Sequence, residues 1–216
     1  MKKIGYLIGW LVSLFFLWDS TLLYPLKLLT VFFHESSHAL ATVLTGGHVS
    51  ELIVTPKQGG HVLSSGGSRF LILSAGYLGS LFWGLAIYTS AVRSQFDQKI
   101  MVLLGFSIIV ITFQFIGNLF SLVFGVASGL ILIGLGLKAS MKINDFLLRL
   151  IGLTTIMYVP LDIISDTILR SNLRSDARML AEEIGGTTLI WGITWLLISI
   201  YAIFHCLRLC LRETNH

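Results

Sequence analysis

The residues best suited to chemistry are His34-Glu35-Ser36-Ser37-His38, an H-E-x-x-H pattern. Side chains four apart on a helix share a face, so His34 and His38 can present two imidazoles to one metal ion. Glu35 falls close enough to that face to act as a base. In a zinc hydrolase the metal lowers the pKa of its water, and a glutamate takes the proton and later delivers it to the leaving amine. Zn2+ is therefore the expected cofactor, and a third protein ligand must come from elsewhere in the chain.

The elements that must position this motif are read from an unusually apolar sequence. Of 216 residues, 55% are hydrophobic and only 12% are charged, which excludes an ordinary water-soluble domain. Ile100 to Leu137 contains no charged residue at all, a pattern of bilayer-spanning helices rather than of alternating barrel strands. Candidate spans run from Ile4 to Leu23, Pro25 to Leu44, Phe70 to Val92, Asn144 to Leu169 and Thr187 to Leu207. The Ile100–Leu137 stretch is too long for one upright helix and divides at Gly117-Asn118.

The expected fold is an all-α polytopic membrane protein with six or seven transmembrane helices, a single domain over residues 1–216. Within it, residues 45–69 form a polar loop. There Val49 to Val54 is rich in strand formers, Pro56 to Gly60 supplies a turn, and His61-Val62-Leu63 returns antiparallel, predicting a short β-hairpin. Residues 171–186 contain apolar positions at helical spacing among charged ones, predicting one helix lying in the membrane interface. Lys2 and Lys3 precede an apolar run without a small-x-small cleavage site, as in an uncleaved anchor.

The motif thus lies in a membrane helix, where three ionisable residues facing lipid would each cost about 2–3 kcal/mol or more. Acidic partners at the same depth are few. Asp162 and Asp166 stand one helical turn apart in an apolar span, just after Pro160, which bends a helix and re-aims the side chains beyond it. Asp162 is the expected third ligand and Asp166 the alternative.

His34-Glu35-Ser36-Ser37-His38, together with Pro160-Leu161-Asp162 and Ser74-Ala75-Gly76-Tyr77-Leu78-Gly79-Ser80, resembles the site-2 protease family of intramembrane zinc metallopeptidases, in its short bacterial members lacking a PDZ domain. The second segment is similar to the family's P-x-L-D-G element, whose aspartate is a zinc ligand, although Ile163 replaces the glycine. The third resembles its A-G-P-x-x-N stretch, with Tyr77 and Ser80 in place of proline and asparagine. The resemblance implies a zinc site within the membrane and a short sheet that receives an extended substrate strand, a role matched here by residues 45–69.

The sequence therefore leads to a multi-pass protein of the cell membrane that hydrolyses peptide bonds in or near transmembrane segments of membrane-protein substrates. The alternatives are a membrane zinc transporter or metal-binding protein, and a non-catalytic scaffold of the same fold. Its partners are the lipid bilayer and the substrate. No nucleic acid is expected, because the basic residues sit at the ends of apolar segments, where they meet headgroups. Other residues have simpler readings: Gly76, Ser80 and Gly84, and Gly125 with Gly129, as helix-packing faces; His48 and His61 as solvated loop residues; Cys206 and Cys210 as small apolar surface.

Overall fold

The computed structural model describes residues 2–115, 117–171 and 173–213. The side chains of residues 1–8 and 209–216 are not among those described, so the roles expected for Lys2, Lys3 and Cys210 lie outside it. Eight α-helices occur among the described residues: α1 Lys2–Phe16, α2 Tyr24–Leu44, α3 Arg69–Arg93, α4 Asp97–Phe115, α5 Leu119–Lys138, α6 Met141–Ile164, α7 Asp176–Ile184 and α8 Thr188–Glu213. A two-stranded antiparallel hairpin, β1 His48–Val54 and β2 Gly60–Ser65, joins α2 to α3.

Five helices are long and apolar enough to cross a membrane: α3, α4, α5, α8 over Thr188–Arg208, and α6 with its continuation to Leu169. The chain is a multi-pass membrane protein, with fewer such helices than the six or seven expected. The two that fall short have physical reasons. The 15 residues of α1 reach about 22 Å, less than the roughly 30 Å of hydrocarbon. α2 carries Lys27, His34, Glu35 and His38 within its 21 residues, and Lys27 and Glu35 are buried among protein atoms.

The hairpin forms where expected, but it is not a loop held away from the helices. It lies along α2. Near its base the Ser68 N–H donates to Thr45 Oγ1, and beyond its tip Tyr24, at the start of α2, donates its hydroxyl to the Pro56 carbonyl. A register shift between Val49 and Glu51 makes this packing possible. Side chains alternate along a strand, so Val49 and Leu52 would normally face opposite ways; the bulge turns both, with Val54, into the core around Leu28 and Phe32.

The outer edge of β1 is closed by the α4–α5 turn. The Gly117 N–H donates to the Leu52 carbonyl, the Val54 N–H donates to the Ser121 hydroxyl, and that hydroxyl donates back to the Val54 carbonyl. β2 has no partner on its other side among the described residues.

Close helix crossings are built on glycine. A Cβ at Gly84 or Gly152 would press on Thr155 or Tyr88 at the α3–α6 crossing, and one at Gly125 or Gly129 would press on Thr112 or Ile109 at the α4–α5 crossing. The packing role expected for Gly84, Gly125 and Gly129 is what the structure displays. Gly76 differs in facing the histidine pair instead of a neighbouring helix backbone.

α6 holds Pro160 in its last turns and continues as one π-helical turn over Ser165–Leu169. α7 is not simply an interfacial helix. Ala177 and Leu180 are fully buried against Leu73, Tyr77 and Trp195 of α3 and α8, while Leu173 and Ile184, expected to share its apolar stripe, are half exposed. Burying Leu180 contributes about 1.5–3 kcal/mol. The Arg69–Glu183 ion pair at the far end of α7 is two-pronged, at 2.8 and 2.7 Å, but well exposed and worth about 0.2–1 kcal/mol. Apolar burial therefore dominates the docking of α7, and the ion pair adds direction.

Candidate metal centre

His34 and His38 project from one face of α2 toward α3, as their spacing requires, with ring centroids 4.8 Å apart. Glu35 is buried beside them. His38 is fixed by a hydrogen bond of 2.7 Å from Nδ1 to the Ile72 carbonyl of α3. A carbonyl only accepts, so Nδ1 carries the proton and the lone pair of the neutral ring lies on Nε2. Holding a ligand ring by its second nitrogen is the usual means of orienting a metal-binding histidine. His34 has Tyr77 edge-on against it, 5.1 Å between centroids.

The carboxylate that meets the two imidazoles is Asp176. Its Oδ2 lies 3.1 Å from Nε2 of His34 and 3.1 Å from Nε2 of His38. Ser175 caps α7, its Oγ accepting from the Arg178 N–H at 3.3 Å, and this places Asp176 in the first turn, on the buried face it shares with Ala177 and Leu180. Burial alone would raise the Asp176 carboxyl, but the two imidazoles, when protonated on Nε2, outweigh burial and hold it well below the usual carboxylate range.

Asp162 and Asp166, the ligands expected from sequence, line the same cavity without joining the histidines. Both oxygens of Asp166 are engaged: Tyr77 donates its hydroxyl to Oδ2 at 2.6 Å, and Arg170 donates to Oδ1 at 2.8 Å. Asp162 Oδ1 lies 4.0 Å from the same guanidinium. Following α6 into the π-helical turn, the chain carries these carboxylates along one wall, and α7 then presents Asp176. Its sequence signal was Ser175-Asp176 opening a helix whose next apolar positions, Ala177 and Leu180, are those that become buried. That pattern reads equally well as the polar side of an interfacial helix.

His34, His38 and Asp176 offer three ligand atoms within 4.8 Å of one another. Two ligand atoms about 2.0–2.1 Å from a tetrahedral zinc stand about 3.3 Å apart, so the Asp176–histidine separations of 3.1 Å suit such an ion. Space for it is preserved by α3. Gly76 faces the cluster, and a Cβ there would collide with Nε2 of both histidines. The donor set of two neutral imidazoles and one carboxylate is one that catalytic zinc uses. The cavity over it, about 640 Å³, is walled by α2, β2, the end of α6 and the start of α7. His61, expected to be only a solvated loop residue, is exposed on β2 and lines this cavity.

Gly60 of the hairpin faces Glu35. A Cβ at Gly60 would lie 2.7 Å from Glu35 Oε1 and 2.6 Å from the Ile53 carbonyl. Since the Ile53 backbone cannot yield, Gly60→Ala is expected to displace Glu35 while leaving the ligands alone. Metal content, measured by metal analysis, should match that of wild type.

A multi-pass helical membrane protein whose histidine pair and carboxylate converge next to a buried glutamate has the framework of a membrane metallopeptidase. The chain belongs to the Peptidase M50B-like family, whose model matches residues 7–206, and so to the site-2 protease-like intramembrane metallopeptidases. No curated protein and no solved structure gives a match.

Proposed function

We propose that the protein is an intramembrane zinc metalloprotease of the cell membrane that cleaves membrane-protein substrates within or near their transmembrane segments. The observation that carries this reading is the convergence of His34, His38 and Asp176, with Glu35 buried at their side. In this reading His34, His38 and Asp176 hold the zinc. When bound, zinc polarises the scissile carbonyl and acidifies water. Glu35 takes the proton of the attacking water onto its carboxylate and returns it to the leaving nitrogen.

The free edge of β2 favours an extended substrate. Gly60 to Ser64 line the cavity, and β1 cannot compete because Gly117 and Ser121 already occupy its outer edge. A substrate unwound into a strand along β2 would pair its backbone there and pass Glu35. A helical transmembrane segment has its amides satisfied internally, so edge pairing also compensates the hydrogen bonds lost on unwinding.

The test is turnover of zinc-loaded protein in liposomes against a panel of fluorogenic single-span peptides. Glu35→Gln is expected to lower cleavage by about 10²- to 10⁴-fold with full zinc occupancy. Equal cleavage by Glu35→Gln and wild type would overturn the assignment of the base, and zinc-loaded wild type that cleaves no peptide would overturn the protease reading. Zinc flux into the same liposomes would instead favour a transporter.

A further inference from the structure

Peptide hydrolysis places negative charge on the carbonyl oxygen of the scissile bond, and enzymes meet that charge with a hydrogen-bond donor held ready before the reaction. The cavity has several donors, and its arginines are committed. Arg69 is forked onto Glu183, Arg170 binds Asp166, and Arg174 donates to Met179 Sδ. Gln58, His61 and Ser64 line it from the hairpin without a side-chain hydrogen bond among the described residues; Tyr158 shares that freedom and differs in standing on α6.

Its position follows from helix directions. α2 and α6 each run opposite to α3, as the pairs Phe33–Trp83 with Ser37–Gly79, and Gly84–Thr155 with Tyr77–Asp166, demonstrate. α2 and α6 are therefore parallel. They are pinned where the Thr30 and Thr155 hydroxyls meet at 3.1 Å. One turn further along both helices, Tyr158 comes level with His34 and Glu35. Tyr158, Asp162 and Asp166 recur every four residues and make one polar stripe facing the cavity, and Trp18, 6.0 Å away between ring centroids, backs the phenol. A polar stripe on a membrane-crossing helix is costly unless it serves a purpose inside the protein.

We propose that Tyr158 is a further catalytic residue, whose hydroxyl donates to the substrate carbonyl oxygen as negative charge gathers there. The inference rests on the protease reading. In the transition state the phenol keeps its proton and shortens a hydrogen bond; no covalent bond to Tyr158 forms or breaks.

The experiment compares wild type, Tyr158→Phe and Tyr158→Gln in the liposome assay, with Tyr201→Phe on the exposed side of α8 as control. Tyr158→Phe is expected to lower kcat about 100-fold or more, with KM and zinc content near wild type. Tyr158→Gln, which keeps a donor, recovers part of the loss. A phosphinic peptide, which mimics the tetrahedral state, should bind Tyr158→Phe more weakly by a similar factor, a readout that needs no turnover. Tyr158→Phe with wild-type kcat, or with a change in KM alone, overturns the proposal while leaving the protease reading intact. Absence of cleavage by wild type overturns both.

Discussion

Asp176→Ala is expected to abolish high-affinity zinc binding, while Asp162→Asn and Asp166→Asn keep it. The contrast follows from which carboxylate stands within 3.1 Å of both imidazole nitrogens. Losing a group that merely orients a ligand costs about 10- to 100-fold in metal affinity, so losing a ligand should cost more than about 100-fold. Removing Asp176 has a second effect. The half-buried His34 and the buried His38 lose the only carboxylate in their donor cluster, which leaves Glu35 at their side to offset a proton on either.

Asp166→Asn should behave differently, because its carboxylate holds Tyr77 and Arg170 rather than the histidines; a modest loss of activity with zinc retained is the expected pattern. Competition with a chromophoric chelator measures all three variants. Retention of wild-type affinity in Asp176→Ala, with loss in Asp162→Asn, would return the third ligand to α6.

The uneven legibility of this site has a physical origin. His34, Glu35 and His38 are encoded within a single helical turn, so spacing alone placed them on one face. The hairpin was equally local: strand formers on either side of Pro56–Gly60 fixed its existence. Its packing along α2 was not local, because it depends on the bulge near Ser50 and on partners at Gly117 and Ser121, more than sixty residues away in sequence.

Asp176 was hidden because a search for acids at membrane depth stops at Asp162 and Asp166, and the resemblance of Pro160-Leu161-Asp162 to a known ligand element reinforces them. The structure instead brings the carboxylate from a short capped helix outside the five that are long and apolar enough to cross a membrane. Asp162 and Asp166 do reach the cavity, so depth correctly found its wall. It could not find a carboxylate carried on a separate short helix.

Gly76→Ala is expected to remove metal binding as thoroughly as losing a ligand, although it deletes no ligand atom. A Cβ at this position collides with His34 Nε2 and His38 Nε2 together, so no single side-chain rotation relieves it. His38 is tethered to Ile72 of the same helix, and His34 is wedged by Tyr77, Gly76's own neighbour. Either α3 moves away from α2 or both rings leave the geometry that meets Asp176. The first route is resisted by the Phe33–Trp83 stack and by Gly79, where a Cβ would already strike Ser37, marking how closely the helices approach.

Overpacking of this kind costs about 1–3 kcal/mol in stability, and the displacement should weaken zinc by more than about 100-fold. Gly134→Ala on α5 is the control, since a Cβ there meets nothing within 4 Å. Chelator competition and thermal unfolding in detergent, with and without zinc, separate the two effects. Wild-type protein and Gly134→Ala should both be stabilised by zinc and Gly76→Ala should not. A zinc-dependent shift in Gly76→Ala equal to that of wild type would mean that the metal does not sit between α2 and α3.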